Sequence, residues 1–238
     1  MANFIGFYHP KKYYRPILVC IITLALIGSG VLYVKASSKL KPIYEINTKE
    51  KKIALTFDIS WGNNTPAPVL DILKANNIRC TFFLSGPWVK QYPEIVKRIQ
   101  EDGHEIGSHG YRHINLSTLS QAEVGEEIQK AHNSIKEVAG LEAGLIRTPN
   151  GDYNDTVIKA IQENHYTGIQ WSLDSLDWMN PGVKNIIERV SARCKPGDII
   201  LMHASDTCKQ TDLALPDILN ALKEKGFEFV TVSELLQL

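Results

Sequence analysis

Short apolar runs alternate with amphipathic segments along most of this chain, and that alternation limits the possible folds more than any other feature. Alternating strands and helices are typical of parallel β/α architecture. About seven strand–helix units fall between residues 51 and 238, without a GxGxxG or P-loop motif. A parallel α/β barrel therefore fits the pattern better than a nucleotide-binding open sheet.

The period of the apolar residues and the positions of Gly and Pro set the predicted bounds of the elements. The predicted strands are 53–57, 80–84, 104–107, 145–147, 168–173, 198–203 and 227–230. The predicted helices are 66–77, 87–102, 120–138, 154–164, 184–194, 213–225 and 233–238. Ser120, with Glu123 three residues later, predicts a capping box at the start of the longest helix.

Polar, chemically active side chains follow nearly every predicted strand. They are Asp58, His109, His113, Arg147, Asp174, Asp177 and His203. In a parallel barrel the active site lies at the carboxyl ends of the strands. The sequence therefore predicts that these side chains meet at one end of the barrel.

His109 and His113 are spaced to bind a metal ion. On one turn of helix, residues four apart share a face, and imidazole is a common ligand of zinc-like ions. The alternative is a pair of surface histidines that fall four apart by chance. An acid after one strand (Asp58) and a base after another (His203) favour a hydrolytic metal site.

The charge and the cysteine content exclude two classes of protein. Lysines plus arginines and aspartates plus glutamates number 26 each, so nucleic acid is not expected as a partner. Cys20 lies in a hydrophobic segment, and the remaining three cysteines give no disulfide framework. They are either inert thiols or include one bridge, Cys194–Cys208.

The first 50 residues predict a location at a membrane. Residues 17–34 carry no charge and are long enough to span a bilayer as an anchor, although an uncleaved or cleaved signal (near Ala36) is the alternative. Basic residues before this run predict that residues 1–16 are cytoplasmic and that the rest lies outside. Residues 35–50 are predicted to be a linker to the domain at 51–238.

Five short motifs, in order, resemble those of the polysaccharide deacetylases with NodB homology, carbohydrate esterase family 4. The motifs are Thr56-Phe57-Asp58, Ser108-His109-Gly110-Tyr111-Arg112-His113, Arg147-Thr148-Pro149-Asn150-Gly151, Asp174-Ser175-Leu176-Asp177-Trp178 and Leu201-Met202-His203. Within the family the chain is most similar to the membrane-anchored, sporulation-associated deacetylases of the PdaB type. The resemblance implies a distorted (β/α)7 barrel that removes acetyl groups from N-acetylglucosamine or N-acetylmuramic acid units with a divalent metal, usually Zn²⁺.

The resemblance also implies a role for each motif residue. His109 and His113 would hold the metal, Asp58 would be the general base and His203 the general acid. Asp177 would orient His203, and Arg147 would keep Asp58 ionised. For Asp177, Arg147 and Trp178 the alternative is a structural role. The remaining residues would bind substrate: the backbone N–H of Asn150 in an oxyanion pocket, Trp178 and Leu201 as walls around the acetyl methyl group, and Trp61 as a platform for a sugar ring.

Two positions depart from the family pattern. Ile59 stands where active members usually carry a second aspartate, the third metal ligand, and an aliphatic side chain cannot bind a metal. Asn150 stands where an aromatic residue is usual. The sequence therefore supports a metal-assisted deacetylase, with a non-catalytic glycan-binding relative and an unrelated metal hydrolase on the same barrel as alternatives.

Overall fold

The structure is a computed structural model, and it describes residues 40–238. The predicted cytoplasmic segment (1–16), the predicted anchor or signal (17–34) and residues 35–39 of the predicted linker lie outside the described residues. Within residues 40–238, none of the helices has the length and apolar content needed to cross a membrane.

Among residues 40–238, eight parallel strands form one sheet. They are β1 Lys52–Ile59, β2 Thr81–Leu84, β3 Glu105–Ser108, β4 Leu145–Ile146, β5 Thr167–Gly168, β6 Leu173–Asp174, β7 Ile199–His203 and β8 Glu228–Val230. The order is β5-β4-β3-β2-β1-β7-β6, and β8 pairs with β1. This is a distorted α/β barrel of parallel strands. It is distorted because β5 and β6, which are consecutive in the chain, lie at the two edges of the sheet and do not pair with each other.

In the described part of the chain, eight α-helices connect or follow the strands. They are α1 Pro66–Ala75, α2 Gly86–Gln91, α3 Pro93–Glu101, α4 Gln121–Ala139, α5 Asp155–Glu163, α6 Val183–Arg193, α7 Thr211–Glu224 and α8 Val232–Leu235. The predicted capping box is confirmed, since the Ser120 side chain and the Glu123 side chain each accept from the other's backbone N–H. The predicted helix 87–102 is wrong as a single helix: Pro93 lacks the N–H needed to continue α2, and α3 starts there.

The predicted strand 168–173 is also wrong as a single strand. β5 pairs with β4 and β6 pairs with β7, while the four residues between them leave the sheet. The backbone N–H of Gln170 donates to the carbonyl of Ile43 at 2.7 Å, and its carbonyl accepts from Arg147 at 3.1 Å. These contacts divert the chain because they take the hydrogen bonds that a continuous strand would give to a neighbour.

The segment 40–46 lies beside the edge strand β5 and beside the residues that precede β7. Ile43 forms a parallel bridge to Ile169 beside β5, and Glu45 forms an antiparallel bridge to Asp198 at the start of β7. Ile43 and Ile46 also pack against the apolar interior of the barrel. This segment, which we call the closing segment, belongs to the folded unit, which begins at Leu40.

Successive side chains of β1 pack in two different apolar layers, one on each face of the sheet. Ile53, Leu55, Phe57 and Ile59 are fully buried in the large core between sheet and helices. Ala54 packs in the smaller cluster inside the barrel. Successive side chains of a strand point to opposite faces, so Asp58 shares the inner face with Ala54, whereas Ile59 packs in the outer core.

Candidate active site

Asp58 and His203 lie side by side on neighbouring strands. In the parallel pairing of β1 with β7, the Cα partner of Asp58 is His203. Both strands are buried up to this point, and both reach the cavity at their carboxyl ends. The predicted meeting of the acid and the base at one end of the barrel follows from this register.

Arg147, which follows β4, contacts Asp58 from inside the protein. Its side chain is fully buried, and Nη1 donates to Asp58 Oδ1 and to Thr56 Oγ1, each at 2.8 Å. The guanidinium carbon lies 4.3 Å from the centroid of the Phe83 ring. These contacts fix the carboxylate of Asp58 and compensate the burial of its charge.

His109 and His113 are close together, but they do not lie on a helix. The helical turn expected for this pair is wrong: residues 109–115 form an irregular loop after β3, in which Gly110 adopts a φ of +72°. The two ring centroids are nevertheless 5.1 Å apart. His109 Nδ1 donates to the carbonyl of Arg147 at 2.9 Å, so its Nε2 is the nitrogen that faces Asp58 Oδ2, at 3.6 Å.

Asp177 orients His203 through two contacts. Its Oδ1 accepts from His203 Nδ1 and its Oδ2 from the backbone N–H of His203, each at 2.8 Å. Thr211 Oγ1 donates to the same Oδ2 at 2.7 Å. Because Nδ1 is bonded to Asp177, Nε2 is the ring nitrogen of His203 that remains for a reactant.

The surroundings move the pKa values of the acid and the base apart. Burial would raise the pKa of Asp58, but the positive charge of Arg147, with His109 and His203, outweighs burial and holds that pKa below its usual value. Burial would lower the pKa of His203, but the hydrogen bond and charge of Asp177 outweigh burial and raise it. These opposite shifts favour the ionised form of Asp58 and extend the protonated form of His203 to a higher pH than that of a free histidine.

A cavity of about 420 Å³ opens over these groups. Its wall is formed by Asp58, Trp61, His109, His113, Asn150, Trp171, Asp174, Trp178, Leu201, His203, Ser205, Thr207 and Cys208. The three predicted substrate-wall residues Trp61, Trp178 and Leu201 are among them, and so is Asn150. Arg147 and Asp177 are not in the wall, because they lie behind Asp58 and His203.

Asn150 adopts a left-handed backbone, with a φ of +59°. Asparagine occupies this region more readily than most residues, which suits it to the turn. Its side-chain amide donates to Asn115 Oδ1 at 2.7 Å. The role of its backbone N–H in an oxyanion pocket stays a prediction.

Trp61 is presented by a loop that is tightly fixed. Asp206 accepts backbone N–H bonds from Asn63, Asn64 and Thr65 at 3.3, 2.8 and 2.9 Å. Gly62 has a φ of +74°, and a Cβ there would lie 2.1 Å from the Asp206 carboxyl, so only glycine fits. The Trp61 ring is 51% exposed and 4.6 Å from the His113 ring.

Sequence reasoning missed several wall residues. Trp171 was hidden inside the predicted strand 168–173, which gave no reason to expect it at the cavity. Ser205, Thr207 and Cys208 follow His203 directly, so their position after a strand was an available signal. The possible bridge between Cys194 and Cys208 is not formed, since both are free thiols.

His109 and His113 have the properties of metal ligands. Burial lowers the pKa of His109 to about 4 and also lowers the pKa of His113, so both rings are neutral near pH 7. The bond from His109 Nδ1 to a carbonyl is the kind of outer contact that fixes a ligating imidazole. Ile59 offers no third ligand, because its side chain is fully buried in the outer core. The residues thus fit a metal held by two imidazoles, with Asp58 beside them.

A second group of possible ligands lies next to His203. Among residues 40–238, single ligand atoms of Asp177, His203 and Cys208 lie within 4.8 Å of one another. Both oxygens of Asp177 already accept hydrogen bonds, and burial raises the pKa of Cys208 to about 12. This group therefore suits the orientation of His203 better than the binding of a metal.

Comparison with known proteins identifies the family. The polysaccharide deacetylase family model matches residues 45–169. A peptidoglycan-N-acetylglucosamine deacetylase of Bacillus cereus is 38% identical over 82% of this chain and 92% of its own length. The uncharacterized protein YlxY of Bacillus subtilis is 31% identical over 82% of this chain, which spans 60% of that relative's length.

A solved structure gives the same result and adds a contrast. Wild-type BA3943 of Bacillus anthracis, described as a CE4 family pseudoenzyme, superposes with a TM-score of 0.78 at 33% identity, over 83% of this chain and 69% of that one. A mutant of the same protein is described as having restored enzymatic activity. The fold, the motif residues and the extent of these matches agree, and the chain belongs to the polysaccharide deacetylase family.

Proposed function

We propose that this protein is a metal-assisted N-deacetylase that hydrolyses the N-acetyl groups of cell-wall polysaccharide, N-acetylglucosamine or N-acetylmuramic acid units of peptidoglycan being the substrate class. The peptidoglycan deacetylase among its relatives supports this substrate. The arrangement of Asp58, His203, His109 and His113 around one cavity supports the chemistry. Amide hydrolysis needs an activated water, a polarised carbonyl and a proton for the leaving amine.

Asp58 acts as the general base. Its carboxylate takes a proton from the attacking water, and Arg147 keeps it ionised and fixed in direction. A divalent ion, Zn²⁺ by chemical preference, would be held by His109 and His113 and would supply Lewis acidity to the water and the acetyl carbonyl. The backbone N–H of Asn150 donates to the oxygen of the acetyl carbonyl as negative charge develops there.

His203 acts as the general acid. Its Nε2 gives a proton to the nitrogen of the sugar as the carbon–nitrogen bond breaks, which releases acetate and leaves the free amine. Asp177 holds the ring by Nδ1 and stabilises its protonated form. Trp178 and Leu201 surround the methyl group of the acetyl, and Trp61 stacks on a sugar ring.

The pairing of Asp58 with His203 is the observation that carries this proposal, because a protein that only binds glycan has no use for a fixed base opposite a fixed acid. We expect His203→Ala and Asp58→Asn each to lower the rate of acetate release from N-acetylated glycan oligomers by about 10²–10⁴-fold. His165→Asn is the matched control, since His165 is exposed and has a φ of +60° that asparagine tolerates. Unchanged acetate release by both site variants would remove the catalytic assignment.

A catalytically impaired, glycan-binding pseudo-deacetylase is the second candidate. The observation that favours it is Ile59, an aliphatic side chain next to Asp58 that is buried in the outer core and gives the two imidazoles no third ligand. We expect Ile59→Asp to tighten zinc binding by at least about tenfold, because a carboxylate at this last residue of β1 avoids the apolar core by turning towards the two imidazoles, where it adds charge and a third ligand. The same change should lower the melting temperature, because it places a charge at a core position.

Titration of the purified domain with zinc tests this second candidate, with Ile59→Val as the control for lost packing alone. Stoichiometric zinc on the wild-type protein that is lost in His109→Ala would support the enzyme. Zinc binding that appears only in Ile59→Asp would support the pseudo-deacetylase.

We also propose that the domain works outside the cytoplasmic membrane, in cell-wall or spore-wall maturation. The uncharged run at 17–34 and the basic residues before it support a single-pass membrane protein with an extracytoplasmic domain. The chain would be secreted if it is cleaved near Ala36. Protease accessibility of the domain in intact cells tests this location.

A further inference from the structure

Gln170 and Trp171, to which the proposed mechanism gives no role, contact two parts of the site at once. They belong to residues 169–172, the stretch between β5 and β6 that leaves the sheet. Gln170 is 2% exposed, and Trp171 lines the cavity. We call these two residues the linking pair, because their contacts reach both the partner of the general base and the turn that carries Asn150.

The first contact of the linking pair is with Arg147. Nη2 of Arg147 donates to the backbone carbonyl of Gln170 at 3.1 Å, while Nη1 donates to Asp58 Oδ1 at 2.8 Å. The guanidinium carbon lies 5.6 Å from the centroid of the Trp171 ring. One guanidinium thus binds the base with one nitrogen and the linking pair with the other, so the direction of the Asp58 carboxylate depends on the position of residue 170.

The second contact is with the turn at 148–151. Gln170 Nε2 donates to Thr148 Oγ1 at 2.7 Å, and Thr148 is buried. Trp171 packs against the far side of the same turn, since a Cβ on Gly151 would lie 3.0 Å from its ring. The linking pair therefore holds the turn by one hydrogen bond and one close apolar contact.

The remaining side-chain contacts of this turn lead to a different part of the site. Asn150 donates from its amide to Asn115 Oδ1 at 2.7 Å. The carboxylate of Asp152 accepts from the backbone N–H and the hydroxyl of Ser117 at 2.7 and 2.8 Å. These bonds fix the turn relative to the segment that follows His113. The linking pair fixes it relative to Arg147, and hence to the general base.

Buried polar atoms without a partner are concentrated at this contact. Among residues 40–238, four buried side-chain polar atoms have no hydrogen-bond partner, and two of them are Gln170 Oε1 and Arg147 Nε. Such atoms cost free energy, and local costs of this kind are expected at functional sites. An apolar side chain at 170 would avoid the cost of Oε1 but would lose the bond to Thr148. The amide is therefore better explained by the placement of the turn than by stability.

The closing segment fixes the backbone on which the linking pair stands. The N–H of Gln170 donates to the carbonyl of Ile43 at 2.7 Å, and the N–H of Ile43 donates to the carbonyl of Gly168 at 2.8 Å. These two bonds hold the chain on both sides of Ile169, which is itself fully buried. The linking pair consequently has a rigid base from which to hold other groups.

We propose that Gln170 is a positioning residue, whose side-chain amide and backbone carbonyl hold the turn of Asn150 and the guanidinium of Arg147 in one arrangement, so that oxyanion donor and general base act on the same acetyl group. This rests on the proposed function and adds to it a residue that none of the five motifs contains. The oxyanion donor acts on charge that develops only in the transition state. Loss of its placement should therefore lower kcat more than it weakens substrate binding.

Gln170→Met tests the proposal, because it removes the amide and keeps a side chain of similar length. We expect kcat for acetate release from N-acetylated glycan oligomers to fall at least about fivefold, while KM stays within about twofold. Ile135→Val is the matched control, since it removes one buried methylene from the outer core on α4 and should leave kcat unchanged while the protein is folded. A wild-type kcat for Gln170→Met would overturn the proposal.

Two substitutions of Thr148 separate its hydroxyl from its packing. Thr148→Val keeps the shape and loses the acceptor of the Gln170 amide, whereas Thr148→Ser keeps that acceptor. The valine variant should reproduce the loss of kcat and the serine variant should not. Gln170→Met combined with Thr148→Val should be no slower than the slower single variant, because both remove the same bond. Losses that multiply would show that the two side chains act separately, which would overturn the proposal.

Amide hydrogen exchange reports on the turn without any need for activity. The N–H of Gly151 donates to the carbonyl of Thr148 at 3.2 Å, and the N–H of Asp152 to that of Pro149 at 3.0 Å. In Gln170→Met both amides should exchange at least about fivefold faster, while those of α4 keep the wild-type rate. Unchanged exchange would overturn the proposal and keep the deacetylase. Faster exchange, in a protein whose wild type releases no acetate, would keep the hold on the turn and overturn the deacetylase.

Discussion

Asp58 and His203 occupy neighbouring positions, yet their surroundings shift their pKa values in opposite directions. The guanidinium of Arg147 outweighs burial for Asp58, and the carboxylate of Asp177 outweighs burial for His203. The family resemblance named both partners, Arg147 for Asp58 and Asp177 for His203, but the residue pattern alone could not weigh them against burial, because burial and partner are both tertiary. The residue types after each strand were enough to suggest the two roles, but the direction of each pKa shift required the contacts.

These shifts predict the pH dependence of the reaction. The pKa of His203 is raised, so the ring stays protonated to a higher pH than a free histidine, and kcat/KM should fall only as the pH rises through that raised value. On the acid side kcat/KM should fall towards pH 4 as His109, with a pKa of about 4, becomes positively charged. Asp58, whose pKa is held below its usual value, should gain a proton only at lower pH.

Asp177→Asn tests the alkaline limit. Without the anionic partner, burial dominates and the pKa of His203 drops, so the alkaline limit should move to lower pH and kcat should fall about 10²–10⁴-fold. Glu188→Gln, which removes only the exposed pair of Glu188 with Lys184, should keep the wild-type profile. A pH profile of Asp177→Asn that coincides with the wild type would show that Asp177 does not tune His203.

At the scale of elements, the closing segment makes backbone hydrogen bonds to the sheet as a strand would, although it forms only isolated bridges. Its backbone bonds reach Gly168 at 2.8 Å, Gln170 at 2.7 Å and Gly197 at 2.9 Å, so it links the edge strand β5 and the stretch after it to the turn before β7. The sequence placed these residues in a linker, because Pro42 and several charged residues mask the partly buried Ile43 and Ile46. The contacts that fix the segment lie more than 120 residues away in the chain, and local patterning contains no information about them.

Removal of the closing segment should destabilise the barrel. A form that begins at residue 48 loses three backbone hydrogen bonds and the packing of two isoleucines, which together should cost roughly 2–5 kcal/mol of unfolding free energy relative to a form that begins at residue 38. Urea denaturation of the two forms measures this difference. Glu45→Gln, which removes only the exposed pair with Lys195, should change stability by less than about 1 kcal/mol. Equal stability of the two forms would show that the segment rests on the barrel without supporting it.

For the whole molecule, the sequence predicted the parallel barrel and the end of it, the carboxyl ends of the strands, at which the chemically active side chains lie. It did so because each buried strand is a clear apolar run and because parallel strands direct their carboxyl ends to one side. It did not predict where the sheet opens, since the residues that split the strand at 168–173 do so through contacts with Ile43 and Arg147. The sequence also did not predict which way the Ile59 side chain points. The alternation of side chains along β1 places it in the outer core, on the face of the strand opposite Asp58.

The register that sets Asp58 opposite His203 allows the reacting groups to stay fixed during evolution while the residues that select the substrate change. The spacing of the two groups is a property of paired backbones, about 4.8 Å between parallel strands, and no side chain in a loop can alter it. Other residues that line the cavity, among them Trp61, Asn150 and Asp174, lie in turns or at the ends of short strands. Substitutions there are free to change which sugar is accepted while the distance between proton acceptor and proton donor is inherited unchanged.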